Sequence, residues 1–377
     1  MQQPILLDTT LRDGEQSPGV YFTLDEKVHL AMELDHLGVS VIEAGIPGMG
    51  REEQEMFRCL EKMNLQAELL AWNRLNRDDV CASLQANVSH VHLSVPTSPQ
   101  LLSKKICKDA SWIFAQMDDV IDFAQREGLV VSLGAEDASR TDIAFLVQVF
   151  QHAQDLGVVR VRYADTLGIL TPGKTAEVIQ AVSQKLRIPI DFHGHNDFGM
   201  ATANAWAAWN AGAQVISCSL LGIGERAGNT ALEEFVGVAH FLEKFFPNFN
   251  FHSLRNTCSS LACMCNRPFP PHKPLFGSDI YRHESGIHVD GLLKSSENYE
   301  FFPPEEVGGE RTLVVGKHSG RAAVKHLALA QGVELNDAQA QHFIDELRTQ
   351  MSFRSGVDAE RQFKIFLQEI QILSEVQ

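Results

Sequence analysis

Three observations predict a closed (β/α)8 barrel carrying a C-terminal helical appendage. Short apolar runs of strand type recur eight times, longer amphipathic helical patterns lie between them, and the repeats fill residues 4 to about 243 of 377. About 240 residues is the size of such a barrel. In chain order the strand runs are PILLD (4–8), VSVIEAGI (39–46), AELLAW (67–72), HVHLSV (90–95), LVVSLGA (129–135), VVRVRYA (158–164), IPIDFH (188–193) and QVISCSL (214–220). Helical segments such as LDEKVHLAMELDHLG and DIAFLVQVFQHAQDLG separate them, and the last of the series is ALEEFVGVAHFLEKF. An open doubly wound sheet is the competing architecture. It would place a glycine fingerprint after the first strand, whereas here that strand runs into TTLRDGEQ.

From about residue 250 the rhythm changes. NRPFPPHKP is a Pro-rich crossing, SGIHVDGLLKSS and VVGKHSGRAAVKHLALAQG bring glycine hinges and histidines, and the last forty residues read as amphipathic helices. The expected division is therefore a barrel over 1–249 and a helical lid and dimerisation region over 250–377.

The composition narrows the function classes. A chain with 44% hydrophobic and 21% charged residues and no low-complexity tract can bury a large core. A formal net charge of −16 gives no general attraction to phosphate backbones, so nucleic acid is not an expected partner. No apolar stretch reaches the roughly 18 residues of a membrane helix, and the N-terminus has no basic leader. The seven cysteines (59, 81, 107, 218, 258, 263 and 265) are odd in number and scattered, which suits reduced thiols and a cytoplasmic location. Cys258, Cys263 and Cys265 lack the partners of a zinc pattern and read as helix packing residues.

In a barrel of this kind, chemistry sits at the carboxyl ends of the strands. Arg12 and Asp13 follow strand one, Glu43 ends strand two, and Asn73 and Arg74 end strand three. Ser94 ends strand four, Glu136 and Asp137 strand five, and Asp165 and Thr166 strand six. His193 and His195 end strand seven, and GIGERAGN (222–229) follows strand eight. Residues i and i+2 of a strand point to one side, so the two imidazoles project together. With the Asp13 carboxylate they make two histidines and one carboxylate around an open-sided divalent cation. Such a cation can chelate the carboxylate and keto oxygen of a 2-oxo acid and polarise its carbonyl. Arg12 is placed to stabilise developing negative charge, and Glu136 and His288 are candidates for proton transfer.

These residues lie within longer motifs: DTTLRDGEQSPG (8–19), IEAGIP (42–47), EDASR (136–140), YADTLGILTP (163–172), HGHNDFGMATANA (193–205), GIGERAGNTALEE (222–234), SGIHVDGLLK (285–294) and GKHSGRAAV (316–324). Together they resemble the DRE-TIM metallolyase superfamily, in its acyl-CoA-condensing branch of 2-isopropylmalate, citramalate and homocitrate synthases, over nearly the whole chain. The resemblance implies Asp13, His193 and His195 as metal ligands with Asn229 as a further ligand or near-ligand, and a Mg2+, Mn2+ or Zn2+ ion. It implies Arg12 as the catalytic arginine and His288 as the base that deprotonates acetyl-CoA, helped by Glu136 and Tyr299. It also implies a homodimer in which the histidine-bearing lid serves the partner's barrel.

The stretches LLAWNRLNRDDV (69–80), LSVPTSP (93–99) and LGAEDASR (133–140) resemble the homocitrate synthases of nitrogen fixation. The implied reaction is the Claisen condensation of acetyl-CoA with 2-oxoglutarate. Two departures from lysine-pathway homocitrate synthases are Asp13, where those tend to carry Glu, and Ser132, where they tend to carry Arg. Arg12, Glu43, Arg74, His92, Ser94, Arg162 and Thr166 are the candidates for holding the 2-oxo acid, while Lys104 reads equally as a solvated loop charge. An uncharged pocket would favour 2-oxoisovalerate instead. A lyase running the bond chemistry in reverse is the more distant alternative, and a regulatory domain for leucine feedback is not expected.

Overall fold

The computed structural model describes residues 2–353 and 357–375. The chain divides into two compact units, one ending at Pro268 and the other beginning at Phe269. In the first, eight parallel strands close into a barrel in sequence order: β1 Ile5–Asp8, β2 Val41–Gly45, β3 Glu68–Arg74, β4 His90–Pro96, β5 Val130–Glu136, β6 Arg160–Asp165, β7 Ile190–Gly194 and β8 Val215–Cys218. Closure is made by β1 against β8, in register from Ile5↔Val215 to Asp8↔Cys218.

The period-2 face pattern decides what fills the interior. Leu7, Val41, Leu70 and Val215 form one buried apolar cluster. Two residues further along their strands, on the same face, stand Glu43, Trp72 and Ser217. The lower barrel is thus an apolar plug, and the interior turns polar toward the carboxyl ends. Helices start where side chains satisfy their first backbone N–H groups. Thr23 and Glu26 form a reciprocal capping box before Leu24–His36, Asn76 accepts from the Asp79 N–H, and Asp142 accepts from the Phe145 N–H.

The unit boundary falls after Pro268 rather than at 249/250, because the helix Phe251–Met264 belongs to the barrel unit. Its Leu254, Cys258 and Leu261 are buried, and Thr257 donates a hydrogen bond to Glu33 of the first helix. In the second unit the helices Arg321–Ala330, Asp337–Phe353 and Ala359–Glu375 share a core built on Val324, Phe343, Leu347, Phe363 and Phe366. The Phe343 ring lies 5.2 and 5.1 Å from those of Phe363 and Phe366. None of the seven cysteines is in a disulfide; Cys258 is buried, as expected of a packing residue, while Cys263 is exposed. Among the described residues no helix is long and apolar enough to cross a membrane.

Candidate metal and substrate site at the barrel mouth

β7 carries Asp191, His193 and, just past its end, His195 on one face. The two Nε2 atoms lie 3.2 Å apart, and Asp13 Oδ2 is 3.2 Å from that of His193 and 4.0 Å from that of His195. All three residues are buried, and their donor atoms lie within 4.8 Å of one another. Asn229 sits beside them through a backbone bridge to His195. Its Nδ2 donates to the Ile223 carbonyl, while its Oδ1 is buried with no hydrogen-bond partner among the described residues. Three converging donors and an orphaned oxygen at the same rim fit a divalent cation with N/O ligands. The loop that delivers Asn229 depends on Gly228, where φ is +91° and a Cβ would come 2.0 Å from the Gly222 carbonyl oxygen.

Charge organises the floor. Arg12 donates from Nε and Nη2 to Glu43 Oε1 at 2.6 and 2.5 Å, and its Nη1 lies 3.3 Å from Asp13. Arg162 Nη1 lies 2.7 Å from the other Glu43 oxygen, and its Nε donates to Asp191 Oδ2 at 2.5 Å. Asp191 Oδ1 in turn accepts from Ser217 at 2.8 Å. A buried array of alternating charge therefore crosses the barrel from the β1 loop through β2, β6 and β7 to β8. Burial alone would raise the carboxyl pKa of Asp13, but Arg12 and then His193 outweigh it and hold the group well below the usual range. Glu43 is likewise held low against its burial by Arg12 and Arg162. Burial, then His193, pushes His195 down to about 3, which keeps its Nε2 lone pair free for a cation at neutral pH.

Beneath the cluster lies a cavity of about 240 Å³ lined by Arg12, Asp13, Gln16, Trp72, His92, Ser94, Gly134, Glu136, Arg162, Ala164, Thr166, His193, His195 and Glu225. Most of the barrel residues expected from the sequence thus meet around one space, and the exceptions are instructive. Glu43 does not line it; fully buried, it acts through the two arginines it holds. Arg74 is turned away: its side chain is 68% exposed and paired with Asp79 at 2.7 Å, which ties the strand end to the following helix. A polar residue at a strand end therefore served loop architecture rather than the cavity. Asp137 and Asp165 do the same, receiving Arg140 and Ser98 in one case and the Ile169 and Leu170 N–H groups in the other. Thr166 lines the cavity while its Oγ1 accepts from the Asp137 N–H.

Glu136 is bound by Lys105 at 2.7 and 3.0 Å, a pairing the sequence did not single out. His92 Nδ1 is 3.0 Å from Ser132 Oγ. Burial, then the nearby Arg162 and Arg160, lowers its pKa far enough to keep the ring neutral. Gly134 gives that ring its place, since a Cβ there would lie 2.3 Å from His92 Nε2. Trp72, stacked 5.8 Å from the Arg12 guanidinium, is a further site residue that pattern reading missed, as are Gln16 and Glu225. Asp191 had a signal: it stands two before His193 and so shares its face. On the second unit His288 and Tyr299 pair, with ring centroids 4.2 Å apart.

Residues 3–260 match the HMGL-like family, and residues 275–354 match the homocitrate synthase post-HMGL domain-like family. The chain is 43% identical over 343 residues to 2-isopropylmalate synthase 2 of Caldanaerobacter subterraneus, covering 91% of this chain and 89% of that protein. It is 42% identical over 350 residues to homocitrate synthase 1 of a Nostoc species, covering 93% of each. Its fold matches the crystal structure of hydroxymethylglutaryl-CoA lyase from Pseudomonas aeruginosa with a TM-score of 0.63 at 21% identity, over 71% of this chain and 96% of that one. With both family regions present and relatives this similar along almost its full length, the chain belongs to the acyl-CoA-condensing branch of the DRE-TIM metallolyases.

Proposed function

We propose that the protein is a homocitrate synthase, condensing acetyl-CoA with 2-oxoglutarate to give homocitrate and free CoA. Family membership supports the reaction type. The observation that carries the choice of acid is the polarity of the cavity: apart from Gly134, only Ala164 among its lining residues lacks a polar or charged side-chain atom. A branched aliphatic acid would leave such a wall desolvated and unpaired, which is costly. A second carboxylate would satisfy it. The segments 69–80, 93–99 and 133–140 support a place in nitrogenase-cofactor synthesis by their resemblance.

In this reading Asp13, His193 and His195 hold a divalent ion, Mg2+, Mn2+ or Zn2+, with Asn229 Oδ1 at its side. When bound, the ion supplies Lewis acidity toward the 2-oxo group. Arg12, fixed by Glu43, places positive charge where the keto oxygen gains electrons during C–C bond formation. A ring nitrogen of His288, with Tyr299 packed on it, takes the proton from the acetyl methyl group, and Glu136 assists. The methyl carbon bonds to the keto carbon, and water then cleaves the thioester, releasing CoA. A homodimer and a cytoplasmic location belong to the same proposal.

The similarity to an isopropylmalate synthase favours a second reading, in which 2-oxoisovalerate is the acid; citramalate synthesis from pyruvate is its variant. CoA release followed by thiol detection, with each acid tested separately in the presence of divalent metal, decides between them. Turnover confined to 2-oxoglutarate supports the proposal, and preference for 2-oxoisovalerate or pyruvate overturns it. Acid-independent cleavage of a hydroxyacyl-CoA would point to a lyase.

A further inference from the structure

Arg162 is 3% exposed, faces the barrel interior, and lines the cavity. Its Nε and Nη1 are engaged by Asp191 and Glu43, yet Nη2 is buried with no hydrogen-bond partner among the described residues. A guanidinium donor left unpaired inside a protein is costly, which calls for an acceptor from outside the chain. Two carboxylates already fix the plane of the group, so little ordering remains to be done when that acceptor arrives.

Strand register sets the depth. Ala164 pairs with His193 and Arg162 with Asp191, so Arg162 stands one pleat below the level of the metal cluster. At about 3.3 Å per residue that is about 6.6 Å. Four C–C bonds of about 1.5 Å at tetrahedral angles separate the end carbons of a five-carbon diacid by about 5 Å. An acid whose 2-oxo end sits at the cluster thus brings a terminal carboxylate to the Arg162 level. Charge permits it there: Arg12 and Arg162 balance Glu43 and Asp191, while Asp13 faces the cluster. Two other cations near the cavity are committed elsewhere, Arg74 outward to Asp79 and Lys105, from the helical segment after β4, to Glu136.

We propose that Arg162 Nη2 is the anchor for the distal carboxylate of the 2-oxo acid, with Glu43 and Asp191 as its positioning residues. This rests on the reading of the protein as a synthase acting on 2-oxoglutarate. The test compares kcat/KM for 2-oxoglutarate with that for 2-oxobutyrate, which has the same 2-oxo head and no distal carboxylate. Both are measured by CoA release for the wild type, Arg162→Gln and the charge-compensated pair Arg162→Gln with Asp191→Asn. The expected result is a loss for 2-oxoglutarate, mostly in KM, that exceeds the loss for 2-oxobutyrate by roughly 10- to 100-fold. Equal losses for both acids would make Arg162 structural and overturn the proposal. If neither variant folds, the wild type with the 5-methyl ester of 2-oxoglutarate decides: use as efficient as that of the free acid overturns the anchor, and a loss of tenfold or more supports it. A wild type that ignores 2-oxoglutarate sinks the parent reading, whereas parallel losses in an enzyme that does use it sink only the anchor.

Discussion

Replacing Glu43 by Gln tests whether the buried charge array holds the site in shape. The substitution keeps the size of the side chain and an acceptor oxygen, but removes the charge that faces two guanidiniums. Glu43 is fully buried, with Arg12 nitrogens at 2.6 and 2.5 Å and an Arg162 nitrogen at 2.7 Å. Removing one partner of a buried ion pair costs about 3–5 kcal/mol, because the remaining charge is left uncompensated. For a domain of this size, each kcal/mol lowers Tm by about 2–4 °C, so a fall of roughly 6–20 °C is expected. Turnover should fall with it, since the two contacts that fix Arg12 lose their charge. Thermal unfolding followed by circular dichroism reads the first effect, and CoA release below the transition reads the second. Combining Glu43→Gln with Arg162→Met should cost less than the sum of the single changes, because the two residues touch. A Tm within about 1 °C of wild type and unaltered turnover would refute the claim that this carboxylate positions Arg12.

Three further outcomes follow from the geometry. His193→Ala should abolish high-affinity binding of Co2+ or Zn2+ in calorimetry while the far-ultraviolet spectrum stays that of a folded barrel; undiminished binding would remove His193 from the cluster. Arg74→Ala should leave KM for the 2-oxo acid unchanged but lower stability by about 1–3 kcal/mol, because the buried Asp79 loses its charged partner; a large rise in KM would return it to the cavity. Asp8 is buried, and that burial pushes its pKa up to about 7 even though Thr10 donates to both its oxygens. Because the folded value exceeds the unfolded one, its contribution falls between about pH 4 and 7 by up to about 1.4 kcal/mol per unit and is constant above that. Asp8→Asn should flatten that slope in urea titrations, and an unchanged slope would assign it to other groups.

The barrel was legible because its periodicities are long and repeated. Each of the eight runs became a strand within two or three residues of its expected ends, since alternation and turn chemistry both specify a buried parallel strand. The end of the barrel unit was not legible, because Phe251–Met264 carries an ordinary amphipathic pattern that does not say which unit it packs on. At the site, the spacing of His193 and His195 sufficed to predict their convergence. Arg74 showed the limit: position along a strand does not fix whether the last side chain turns inward, and here Asp79 in the next helix drew it out. The role of Glu43 was hidden for a related reason. Its importance lies in pairing with Arg162, a contact between β2 and β6, far apart in sequence, that no local pattern encodes.

The ladder that closes the barrel also fixes a timetable for its making. The first strand hydrogen-bonds with the last, and the Leu220 N–H reaches Thr10 Oγ1 across 210 positions of chain. During synthesis at about 5–20 residues per second, β1 waits some 10–40 s for its partner to emerge. Until then, a nascent chain with seven strands has an unpaired edge on each side. Such edges invite pairing with other chains. The newborn protein is therefore most exposed to aggregation late in translation, and a ribosome stalled before β8 leaves a sheet that cannot shut.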